Sequence, residues 1–116
     1  MAEDIEYNED NLIESLQKDD MQSFRNEYLM LHPYDRGTFY EKIGREFRKT
    51  MYHYLSPKEL AEIFETSEIY DHEYKQFLEE MDTTYAADMI SYMFVDNAVD
   101  VLNELDKSQA VSYLTL

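Results

Sequence analysis

The amino-acid sequence predicts an all-α fold, a right- or left-handed superhelix (α-solenoid) of about nine short helices, and three observations carry that expectation. First, residue types return every twelve positions in the C-terminal third. Phe77, Met89, Val101 and Tyr113 fill one column, and Leu78, Ile90, Leu102 and Leu114 fill the next. Met81, Met93 and Leu105 make a third column and Ala86, Ala98 and Ala110 a fourth, with Asp88, Asp100 and Ser112 at a polar place among them. Second, a chain of 116 residues with two glycines, two prolines and many Glu, Lys, Leu, Met and Ala favours helix over sheet. Third, 44% apolar and 15% aromatic residues are enough for the core of one domain. About eight helical residues make roughly two turns, too few to be stable alone. Each unit must therefore lay its apolar stripe on its neighbours, which is the logic of a solenoid.

Residues 1–10 are acidic and aperiodic, a weakly ordered N-terminal segment before a superhelical domain over residues 11–116. Leu12, Ile13 and Leu16 have the spacing of a short amphipathic helix that stops near Asp19 and Asp20. Those two acids sit at the positive end of the next helix, which buries Met21, Phe24, Tyr28 and Leu31 and ends at His32, because Pro33 disfavours helical geometry in the residue before it. Asp35 is expected to cap the following segment, whose apolar side is Phe39, Tyr40 and Ile43 before Gly44. A basic helix follows, with Arg45, Arg48 and Lys49 outside and Phe47, Met51, Tyr54 and Leu55 inside. Ser56-Pro57 is a start signal for a helix over residues 58–65, and Glu59 is placed for a reciprocal capping contact. After an irregular insertion at residues 66–71 come the regular units, with caps or first-turn acids at Asp82, Asp96 and Asp106. The last unit stops at Leu114-Thr115-Leu116 without a polar cap, so the natural polypeptide is expected to continue.

Charge narrows the partners. With 26 acidic against 10 basic residues the net charge is −16, which repels nucleic acid and anionic headgroups and attracts divalent cations or basic surfaces. There is no cysteine, hence no disulfide or thiolate site. The N-terminus has no basic start or apolar run of a secretory signal, and no segment approaches the ~20 apolar residues of a membrane span. His32, His53 and His72 are scattered without a zinc spacing, and no Gly-rich phosphate loop or nucleophile setting occurs, so the chain is not read as an enzyme. Of the seven methionines, Met81, Met89 and Met93 lie in the repeat columns and are read as core filler, as are the tyrosines Tyr28, Tyr54, Tyr85, Tyr92 and Tyr113. Asp96 and Asp100 stand four apart on one helix face, a mild like-charge penalty that a divalent cation would reverse. On spacing alone, a cap and a solvated residue describe the pair better than an ion site does.

The run Leu55-Ser56-Pro57-Lys58-Glu59-Leu60-Ala61-Glu62-Ile63-Phe64, then Ala86-Ala87-Asp88-Met89, then Val95-Asp96-Asn97-Ala98-Val99-Asp100-Val101-Leu102-Asn103-Glu104-Leu105, resembles the N-terminal cytosolic domain of MgtE-type magnesium transporters. His32-Pro33-Tyr34-Asp35 fits the same family's early segment. The resemblance implies a superhelix of short helices, a fragment of a longer membrane protein at the cytoplasmic face of the cell membrane. Its implied partners are downstream CBS domains and a transmembrane domain of the same polypeptide, and the whole protein is implied to be a homodimer. Its implied role is regulatory: Mg2+ bridges acids of this domain to acids of the CBS pair and favours the closed channel. Glu62, Asp96 and Asp100 match the family's magnesium-facing acids, and Asn97 stands where some relatives carry a second acid. The alternative is an α-solenoid module that binds a protein partner without any ion.

Overall fold

The twelve-residue step of the C-terminal third runs through most of the chain. The computed structural model describes residues 8–66, 73–103 and 107–114, and among them are nine helices and no strand. They are α1 (Glu9–Gln17), α2 (Met21–Tyr28), α3 (Pro33–Lys42), α4 (Arg45–Tyr54), α5 (Pro57–Thr66), α6 (Tyr74–Glu80), α7 (Thr83–Ser91), α8 (Val95–Asn103) and α9 (Lys107–Leu114). From α1 to α5, and again from α7 to α9, each helix begins twelve residues after the one before. Only around α6 does the step slip, the interval from Pro57 to Thr83 being 26 residues where two steps would take 24.

The columns explain why the repeat shows in sequence only near the end. The fourth helical residue is Leu12, Phe24, Arg36, Arg48, Leu60 and Ala86 in α1 to α5 and α7, and all six are buried. The position is constant in burial but not in residue type. The seventh helical residue, Phe39, Met51, Ile63, Met89 and Val101 in α3, α4, α5, α7 and α8, is fully buried each time. Successive odd helices stack, α3 on α5, α5 on α7 and α7 on α9, while α1 rests on α2 and α4. Aromatic rings fill the space between helices: Tyr28 of α2 meets Phe39 of α3 at 5.7 Å, and Tyr40 of α3 meets Phe77 of α6 edge-on at 4.8 Å. Each such side chain contributes about 1.5–3 kcal/mol by leaving water.

Of the side chains expected inside the C-terminal repeats, Phe77, Leu78, Met81, Ala86, Met89, Ile90, Met93 and Val101 are buried, and Ala98 and Leu102 are partly buried. Leu105 and Asp106 lie outside the described residues. Several expectations are corrected. α2 ends at Tyr28, four residues before His32, and its Met21 is exposed because it sits in the first helical turn at the mouth of an open cleft it shares with Arg25, His53 and Tyr54. His32, not Asp35, caps α3, its Nδ1 accepting the Tyr34 N–H at 3.1 Å, with Pro33 as first helical residue and Asp35 in the first turn. Arg48 is buried rather than outside, because its fourth-residue position points inward, and Phe47 is only partly buried. Tyr92, taken as core, is exposed at the end of α7.

Candidate cation-binding face

α5 positions the first of the three matched acids. Its start is a reciprocal capping box: the Ser56 N–H donates to Glu59 Oε1 at 2.9 Å and the Glu59 N–H donates to Ser56 Oγ at 3.1 Å. The same Glu59 carboxylate receives both Arg25 guanidinium nitrogens, at 2.7 and 2.8 Å, which ties α2 to α5 and holds Glu59 below the usual carboxylate range. With Leu60, Ala61, Ile63 and Phe64 facing the core, Glu62 is left outside. Its side chain is 63% exposed and makes one ion pair, 3.4 Å from Arg36 Nη1. A carboxylate in that state is open to another cation.

Three residues along, Glu65 is committed elsewhere. It accepts the Phe94 backbone N–H at 2.5 Å and the Asn97 side-chain N–H at 3.3 Å, so an acid at the end of α5 satisfies the start of α8. Asp96 is the second residue of α8, inside the first turn rather than at the cap, and its side chain lies outside the described residues. Asp100, one turn later on α8, is exposed. Asn97 is thus occupied by Glu65, a role its amide can fill and a second carboxylate could not.

The structure therefore brings Glu65 to Asn97 at the beginning of α8 and leaves Glu62 and Asp100 solvent-facing. Among the described residues, no three acid or histidine side chains group closely enough to hold a metal ion. The available donors are single carboxylates, which fit a hard cation that keeps several waters and takes only one or two carboxylates from one surface. Sequence reasoning missed Glu65 and Arg36. Glu65 had a signal, its spacing of three from Glu62; the inward aim of Arg36 had none.

Several other polar groups are engaged in holding the fold. A cleft of about 340 Å³ is lined by Lys49, Tyr52, His53, Glu80, Asp82 and Tyr85. In it the Glu80 carboxylate is taken by Arg48 and Tyr52, the Tyr85 hydroxyl donates to the Leu55 carbonyl at 2.8 Å, and burial raises the pKa of both phenols. His32 is spent as a cap, and His72 lies outside the described residues. No helix among the described residues is long and apolar enough to cross a membrane.

Comparison with known proteins gives one coherent answer. Residues 31–116 match the family model of the MgtE intracellular N domain. The chain is 48% identical over 77 residues to the magnesium transporter MgtE of Enterococcus faecalis, an alignment that spans 66% of this chain and 17% of that protein. A solved structure described as the soluble part of a magnesium transporter matches with a TM-score of 0.84 at 47% identity, covering 90% of this chain and 41% of the other. All-helical, built on the twelve-residue step and matched over most of its length, the chain belongs to the MgtE intracellular N domain family.

Proposed function

We propose that this chain is the regulatory magnesium-sensing domain of a magnesium transporter, acting at the cytoplasmic face of the membrane and not as an enzyme. Its acidic surface would bind Mg2+ jointly with adjacent CBS domains and so favour the closed state of the channel. The observation that carries the reading is Glu62: in a member of this family, an acid expected to face magnesium stands 63% exposed, with its ion pair to Arg36 as long as 3.4 Å. Asp100 on α8 offers a second exposed carboxylate, and Asp96 lies one turn before it. The net charge of −16 supplies the switch: unscreened acids repel the acids of a neighbouring domain, and bound cations remove that repulsion. One site at 100 times its dissociation constant shifts such a balance by ~2.7 kcal/mol, so a few coupled sites suffice. The alternative, a protein-docking solenoid without ion sensing, draws on Phe94, which is 73% exposed between α7 and α8.

Protease protection of the whole transporter under magnesium titration separates the two. Asp96→Asn with Asp100→Asn should preserve the fold, since the small loss of a favourable charge in the first turn of α8 is offset by removal of a like-charge pair four residues apart, and should move the protection midpoint to higher magnesium. Glu27→Gln with Glu46→Gln, at exposed acids on α2 and α4, is the control. Equal shifts from both pairs, or no response of the wild type to magnesium, would remove the sensing site.

A further inference from the structure

Arg36 and Arg48 occupy the same column of the repeat on successive helices, and both are buried, yet their surroundings differ. Arg48 donates to both Glu80 oxygens at 2.6–3.1 Å and to the Ile43 and Tyr40 carbonyls, and lies over the Phe77 ring at 5.0 Å. Arg36 has far less. Its residue is only 8% exposed, its Nε is buried with no hydrogen-bond partner, and its ion pair is the 3.4 Å contact from Nη1 to Glu62. A buried guanidinium this poorly bonded depends on the anion it has.

We infer that Arg36 competes with the divalent cation for the Glu62 carboxylate and so sets the cation concentration at which this face loads. This rests on the reading of Glu62 as a cation ligand. A cation that draws Glu62 outward leaves Arg36 buried without a counter-charge, and the two positive charges repel while they share one carboxylate. Binding is thereby opposed in proportion to how much Arg36 loses. The effect is reciprocal: whatever weakens the hold of Arg36 tightens the cation by the same factor. Arg36 is in this sense a positioning residue, touching the ligand carboxylate and never the ion.

The test uses the isotope-labelled chain with Mn2+ as paramagnetic probe, following the broadening of the Glu62 and Asp100 resonances and the Arg36 Nε–H signal. Arg36→Met should lower the Mn2+ midpoint at Glu62 about fivefold, the effect of one nearby charge in a wet surface site. Arg36→Gln keeps a polar side chain should the methionine variant fold poorly, and is expected to shift the midpoint in the same direction. Adding Glu62→Gln should abolish the gain. Lys18→Met, removing an exposed charge paired with Glu14 on α1, should leave the midpoint nearly unchanged. An unchanged midpoint in both Arg36 variants, or an equal shift from Lys18→Met, overturns the competition while sensing stands. Absence of broadening at both Glu62 and Asp100 in every variant overturns the competition, and the cation reading falls with it if magnesium protection of the whole transporter is also absent.

Discussion

Arg48 of α4 and Glu80 of α6 form an ion pair inside the molecule, their side chains 6% and 4% exposed and their closest nitrogen and oxygen 2.6 Å apart. The pair is part of a network. The Tyr52 hydroxyl donates to Glu80 at 2.7 Å and shares a hydrogen bond with Tyr40, while Arg48 neutralises carbonyls at the negative end of α3. Glu80→Ala is expected to cost about 3–5 kcal/mol, because it strands the guanidinium in the interior. Arg48→Met combined with Glu80→Leu should cost far less than the sum of the single changes. Urea unfolding of the two single variants and the double variant measures the coupling, and additive losses would show that the pair acts as two independent residues.

Acid pairs give a second prediction. Burial and a hydrogen bond to Glu73 push the Glu41 carboxyl up to about 7 from 4.5, and Glu73 Oε1 is buried with no donor unless Glu41 carries the proton. The folded chain therefore holds a proton that the unfolded chain has lost between those values. Its stabilising effect is fully present at acid pH and fades as pH rises through about 7. Glu41→Gln should match the wild type at about pH 4, below the unfolded value, and exceed it in urea midpoint at about pH 8. Parallel pH dependence in the two proteins would refute the shared proton.

A third prediction concerns the turn between α1 and α2. Asp19 has φ 55°, the one non-glycine residue with positive φ among those described, and its carboxylate accepts the Tyr54 hydroxyl. Aspartate and asparagine tolerate this left-handed conformation better than alanine does. Asp19→Ala should lose about 1–2 kcal/mol, combining backbone strain with a missing acceptor. Asp19→Asn should keep most of that stability, and a thermal melt in which both variants fall equally would show that the backbone conformation is immaterial.

The sequence disclosed what depends on pattern and hid what depends on aim. The columns through Met89 and Val101 were visible because every member is apolar, and the Ser56-Glu59 box was visible because its residue types are restricted by geometry. Arg48 was misplaced because a basic side chain on an amphipathic helix ordinarily faces water, and nothing near it in sequence names Glu80 as its distant partner. The same blindness hid the earlier repeats, whose column passes through Arg36 and Arg48. At the candidate site, Glu62 and Asp100 were legible as exposed acids, whereas the clamp from Glu65 to Phe94 and Asn97 depends on how α5 meets α8, a relation of two helices that no local pattern encodes.

The twelve-residue step also limits how such a chain can lengthen or shorten. Because each helix from α1 to α5 begins twelve residues after the one before and buries its fourth residue, every unit is equivalent to the next, and contacts such as α3 on α5 join units two apart. Losing or duplicating a single twelve-residue unit would keep the later helices in phase, and only the contacts made across the altered step would have to repack. The heritable quantum of size in this architecture is then twelve residues, and viable length variants should differ by whole units or by small slips such as the one beside α6.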